Sequence, residues 1–161
     1  MNVTACAVPH PSLLNKYVEQ PGAYSDCFEV VHNGQVDLAQ LITAFYTTWL
    51  FRLERLVLTL PLRHWVRDAE VQALAKGHST FAVWREEARK ETEVLLCDLS
   101  GRTRSYLAIH PKEAGQTHLL FGSAVVPQEG GALSPWVQRF LPVHRLYSLH
   151  LLRTAEKKLR R

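Results

Sequence analysis

The chain lacks any apolar run that could cross a bilayer, which takes about 20 residues. Its longest candidate, Leu56 to Leu62, is short and contains Pro61. Cysteine is scarce: Cys6, Cys27 and Cys97 are odd in number and show no CxxC spacing. A disulfide framework or zinc knuckle is therefore not the organising device, and free thiols in a reducing compartment are the expectation. The GxSxG, P-loop, GxGxxG and HExxH patterns are all missing. Their absence removes the common hydrolase, nucleotide, dinucleotide and zinc-protease readings. Met1 to Pro11 carries no Lys or Arg and no apolar core, so no secretory signal is expected and a cytoplasmic location is.

What is present suits one folded domain. The 161 residues are 47% hydrophobic and 21% charged, ordinary globular values, and a domain of about 150 residues can bury a sizeable core unaided. The net charge of +4 is uneven. Residues 139–161 hold seven bases and one acid, whereas the other 138 hold twelve bases and fourteen acids. Basic character belongs to the C-terminal segment, which could meet an anionic partner such as nucleic acid or a membrane surface or simply be a solvated helix end.

Periodicity divides the chain. Pro9, Pro11, Pro21 and Gly22 mark residues 1–23 as an irregular N-terminal extension. A short strand is expected over Asp26–His32, ended by Asn33-Gly34. Asp37 then reads as an N-cap for a helix through Leu38, Leu41, Ile42, Phe45 and Trp49. That helix is expected to continue by Leu53, Leu56 and Val57 to Pro61, with Thr47-Thr48 as a bend. A second helix is expected from about His64 to Ala75, closed by Gly77. Strands follow at Thr80–Arg85, Glu91–Asp98, Arg102–His110 and Gln116–Val126, with Glu86–Lys90 as a charged turn. Their brief links predict an antiparallel meander, because parallel neighbours need long crossovers. After the flexible Gly130-Gly131 link, Ser134-Pro135 opens a long helix carrying the stripe Trp136, Phe140, Val143, Tyr147 and Leu151, with Pro142 as a kink or a joint near Arg139. The class is α+β: an antiparallel sheet wrapped on a long C-terminal helix.

Three segments carry a resemblance: Tyr24-Ser25-Asp26-Cys27-Phe28 at the first strand, Trp49 to Arg55, and Pro142-Val143-His144-Arg145 with Trp136 before it. In these the chain resembles the START-like, helix-grip (SRPBCC) superfamily. Within it, the chain is similar to an uncharacterised family of small bacterial proteins. That family's pattern in the last helix is Pro-Phe-His-Arg, so Val143 departs from it. Cys97 to Tyr106 also lacks the family's aspartate-histidine element. The resemblance spans residues 24–153, leaving 154–161 as a basic helical tail. It implies an apolar tunnel between helix and sheet and no fixed activity, since fold does not determine function.

His144 is the leading site candidate. On a cavity wall its imidazole would orient one polar group of a ligand; alternatively it caps backbone groups freed by Pro142 or lies at the helix surface. Trp84, Tyr106 and Phe121 on the sheet, with Trp136, Phe140 and Tyr147 on the helix, are the expected lining, and the same aromatics would serve equally as plain core. If Trp136 and Phe140 are core anchors, truncating either costs about 3–5 kcal/mol. No metal or other cofactor is expected. His144 and His150 lie about 600° apart round a helix, and whether His110 and His118 face each other depends on strand register. Glu86-Glu87 and Glu91/Glu93 read as solvated carboxylates. The expected function is non-catalytic binding of a hydrophobic small molecule. One alternative is a cyclase/dehydratase-type enzyme with His144 as acid or base, and another is a structural domain with a filled core that docks a partner.

Overall fold

The computed structural model describes residues 2–49, 51, 68–81, 84–112, 115–127 and 131–160. The elements are β1 (Thr4–Ala5), α1 (Asn15–Val18), β2 (Tyr24–Asn33), α2 (Leu38–Tyr46), α3 (Asp68–Ala75), β3 (Thr80–Phe81), β4 (Trp84–Arg89), β5 (Glu93–Asp98), β6 (Thr103–Lys112), β7 (Gln116–Val125) and α4 (Pro135–Leu159). All seven strands join one antiparallel sheet in the order β1-β2-β7-β6-β5-β4-β3. Helix α4 packs on β2, β7 and α2. The α+β class and the antiparallel meander are as expected, and the architecture is compatible with a helix-grip fold.

Local chemistry explains the boundaries. Asp37 caps α2 through a reciprocal pair, with Gln40 N donating to its Oδ1 at 2.7 Å and Asp37 N donating to Gln40 Oε1 at 2.9 Å. Helix α2 stops at Thr47-Thr48, whose hydroxyls donate to the carbonyls of Thr43 and Phe45 and so compete with the backbone ladder. The expected continuation through Leu53, Leu56 and Val57 to Pro61, and the helix start at His64, lie outside the described residues, as do most of Trp49 to Arg55 and Gly130. Ser134 caps α4 with Pro135 at its first position. Helix α4 runs unbroken through Pro142 rather than dividing near Arg139. At Gly101, φ is +72°, the left-handed turn that glycine permits.

The first expected strand of the meander is corrected. Thr80–Phe81 and Trp84–Arg89 form a hairpin, with Thr80 opposite Arg85 and Phe81 opposite Trp84, so most of the charged segment is strand, not turn. Its charges are tied: Arg89 bonds Glu86 and the Leu74 carbonyl, while Glu87 holds Lys16, Tyr17 and Arg104.

Each sheet face has its own core. On the helix side, Phe28, Val30, Phe121, Leu151 and Leu152 pack with α2, where Phe45 meets the Phe121 ring at 4.6 Å. On the outer side lie Tyr106, Leu95, Leu120 and Ala124, covered by Leu14 and Tyr17. Cys6, Val8, Leu13, Leu14 and Tyr17 pack on this face, so this part of the N-terminal segment is a strap across it. Its anchors are Leu13 N donating to Glu93 Oε2 at 2.8 Å and Tyr17 Oη donating to Glu87 Oε1 at 2.7 Å. Gly122 makes room for it, because a Cβ there would lie 2.7 Å from Leu14 Cδ2.

Candidate functional site

A row of polar side chains crosses the helix-facing side of the sheet. Asp26 on β2 is opposite Ser123 on β7, which is opposite Ser105 on β6, and all three are buried. Ser123 donates its hydroxyl to Asp26 Oδ1 at 2.6 Å, and its backbone N–H donates to the same oxygen at 3.2 Å. Tyr24 donates to Asp26 Oδ2 at 2.9 Å. His144 Nε2 lies 2.8 Å from Ser123 Oγ, and the Tyr46 hydroxyl lies 2.7 Å from Ser105 Oγ.

The direction of this chain follows from its end. A carboxylate only accepts, so the Ser123 proton points to Asp26 and the serine lone pair faces the histidine. Nε2 of His144 therefore carries hydrogen, and in the neutral ring Nδ1 is an acceptor. Burial pushes the imidazole below its ordinary range, with Asp26 pulling the other way. Burial and the Asp26 carboxylate push the Tyr24 phenol up, opposed by Arg145. This polarity is the reverse of a hydrolase triad, where histidine takes the serine proton.

A pH prediction arises here. His144 is depressed in the folded state relative to 6.5, so the unfolded chain binds its proton more readily and the residue's contribution is lost as pH falls below that value. His110, lowered by burial and by Lys112, acts in the same direction. Urea denaturation should show stability falling from pH 7 to pH 5, and His144→Gln should flatten the part of that slope due to His144. An equal slope in the variant would show that His144 has no share in it.

The expected lining is not brought together. His144 is half-buried and faces the sheet, and Trp84 is buried at the margin of the helix-side core, which Tyr147 joins from α4. Tyr106 lies on the opposite face, under Leu14, with its hydroxyl donating to Glu93 Oε2 at 3.0 Å. Strand alternation requires this: Ser105 faces the helix, so its neighbour cannot. Trp136 and Phe140 are 72% and 59% exposed, so neither is a core anchor. The half of α4 that bears them buries a different side, marked by His144 and Ser148, about 100° round the helix. Val143 and Leu146 are exposed beside them.

Other candidates resolve differently. Glu93 is buried rather than solvated; burial raises its pKa, but Lys90, the Leu13 amide and Tyr106 outweigh this and hold it below its usual range. His110 and His118 are directly opposite, and His118 lies 3.3 Å from Glu29. Among the described residues no group of three or more His, Cys, Asp or Glu is arranged to hold a metal ion. No described helix is long and apolar enough to cross a membrane. The tail is not a free end: Ala155 and Glu156 are buried, and Lys158 donates to the Thr47 carbonyl at 3.2 Å. Two open grooves of about 440 Å³ lie elsewhere, one beside Gln40, Lys76 and Lys158, the other beside Val36, Ile109 and Pro111. A pocket of about 100 Å³ adjoins the start of α4 at Val137.

Asp26, Ser123 and Ser105 were missed in the sequence. The available signal was Asp26 itself, a charged residue sharing a strand face with Phe28 and Val30. No protein-family model matches the chain, and no curated protein sequence matches it.

Proposed function

We propose that the protein is a START-like binding module for an apolar small molecule bearing a hydroxyl donor. The observation that carries this reading is the placement of His144. Its Nε2 is held by Ser123, which is itself fixed by Asp26, next to a helix flank that exposes Trp136, Phe140, Val143 and Leu146. Large apolar side chains beside one fixed polar group are the usual elements of small-molecule recognition. The neutral imidazole presents Nδ1 as acceptor, which suits a ligand hydroxyl. The hydrogen-bond direction disfavours a serine nucleophile, and so favours binding over acyl transfer.

The test is titration with an apolar fluorescent probe carrying a phenol. Wild type is expected to bind it, and His144→Ala to weaken binding by the worth of one neutral hydrogen bond, about 0.5–1.5 kcal/mol or roughly 2- to 13-fold. Trp136→Ala and Phe140→Ala should weaken binding further while changing stability by no more than about 0.5 kcal/mol, as for exposed positions generally. Absence of probe binding would favour the structural, partner-docking alternative. Turnover of a polyketide-like or steroid-like compound that disappears in His144→Ala would favour the cyclase/dehydratase alternative, since loss of a general acid or base costs about 10²–10⁴ in rate.

A further inference from the structure

The strap over the outer face meets β2 at a pair of cysteines, Cys6 in the strap and Cys27 on the strand. In the β1–β2 ladder Thr4 is opposite Glu29 and Ala5 opposite Phe28, so the next pair is Cys6 and Cys27. The Cys6 N–H donates to the Cys27 carbonyl at 3.0 Å, which makes them a hydrogen-bonded cross-strand pair. Such pairs hold their Cα atoms about 5.5 Å apart, inside the roughly 4.4–6.8 Å range that a disulfide spans. Both side chains belong to the outer core, Cys27 within it and Cys6 packed against it. Cys6 is half-exposed and Cys27 buried.

We propose that Cys6 and Cys27 form a reversible disulfide that latches the N-terminal strap onto the sheet, with Cys6 as the attacking thiol and Cys27 as the resolving one. Exposure agrees with these roles, since an incoming disulfide reaches the partly exposed Cys6 before the buried Cys27. A hydrogen bond from Cys27 holds the Cys6 thiol below its ordinary range against burial, while that same contact and burial push Cys27 far up. The oxidant is a low-molecular-weight disulfide such as glutathione disulfide. The Cys6 thiolate attacks one of its sulfurs, the S–S bond breaks, and one glutathione thiolate leaves. Cys27 then releases its proton as its sulfur attacks Cys6, and the second glutathione leaves as the thiol. Two protein thiols are oxidised and one small disulfide is reduced to two thiols. Cβ atoms of cross-strand pairs lie about 4.5–5.5 Å apart, somewhat beyond the roughly 3.5–4.5 Å of a relaxed disulfide. The short strand β1 must therefore draw inward, which favours a labile, reducible bond.

The experiment incubates the whole protein with glutathione disulfide, then uses intact mass, peptide mapping after alkylation, and limited trypsin digestion. The expected result is loss of two hydrogens, a Cys6–Cys27 cross-linked peptide, and Cys97 still alkylated. Lys16, the first tryptic site in the strap, should be cut about tenfold more slowly when oxidised, because the latch limits local opening. Reductant should restore the faster rate, and Cys6→Ser should show neither change. A stable glutathione adduct on Cys6 with Cys27 still free, a bond to Cys97, or three free thiols would overturn the disulfide. Formation of the bond with no change in Lys16 cleavage would overturn the latch.

Discussion

Leu14→Ala is expected to lower the unfolding free energy by about 2–5 kcal/mol, the range for truncating a fully buried leucine. Leu14 has no exposed surface and sits in the outer core with Tyr17, Tyr106 and Leu120. Its seat exists because residue 122 has no side chain, so neighbouring groups have little means of filling the void left by truncation. The measurement is urea denaturation followed by tryptophan fluorescence and far-UV circular dichroism together. A change within about 0.5 kcal/mol, as for an exposed position, would mean that the strap contributes little and the outer face is stable without it. Glu93→Gln, which keeps an acceptor for Leu13 and Tyr106 but loses the charge facing Lys90, should cost less than Leu14→Ala.

Glu156→Ala is the second large effect. Glu156 is 2% exposed and lies 3.2 Å from the buried His32 Nδ1, with Arg160 Nε donating to the same oxygen at 2.6 Å. Burial works against its charge, but Arg160 and His32 outweigh this and hold the carboxyl below its usual range. Removing the carboxylate leaves the buried His32 ring nitrogen without its hydrogen-bond partner, which costs about 1–3 kcal/mol. Chemical denaturation at pH 7 should show this loss, with a smaller one for Glu156→Gln. Truncation after Leu152 should be at least as damaging, since it also removes the buried Ala155. An unchanged midpoint in Glu156→Ala would mean that the pair gives no net stability.

Period and punctuation were enough to read the meander, the Asp37 and Ser134 caps and the long last helix, because each depends on neighbours within a few residues. The rest was hidden for one physical reason: sequence does not say which face an element presents, or to what. Trp136, Phe140, Val143 and Tyr147 make a regular apolar stripe, yet His144 and Ser148 mark the side that α4 buries. Tyr106 lies on the expected strand but faces away from the helix, since a single residue of phase separates it from Ser105. The segment before Tyr24 looks irregular in sequence because the strap it contains has no period of its own; the order of Leu13, Leu14 and Tyr17 comes from Glu93, Gly122 and Glu87 far along the chain. Of the candidate site, His144 was legible and its partners were not, because register alone places Ser123 opposite Asp26.

That same register governs when the molecule can assemble. The ladder from Tyr24 opposite Val125 to Asn33 opposite Gln116 joins segments about 80–100 residues apart. Pairing over such a span makes for slow, high-contact-order folding, since the loop between them must be closed before any rung forms. On a ribosome, β2 waits unpaired with β7 until nearly four-fifths of the chain has been made. Helix α4, whose bed is β2 and β7 side by side, is then next to emerge, so the bed and the helix that covers it arrive almost together.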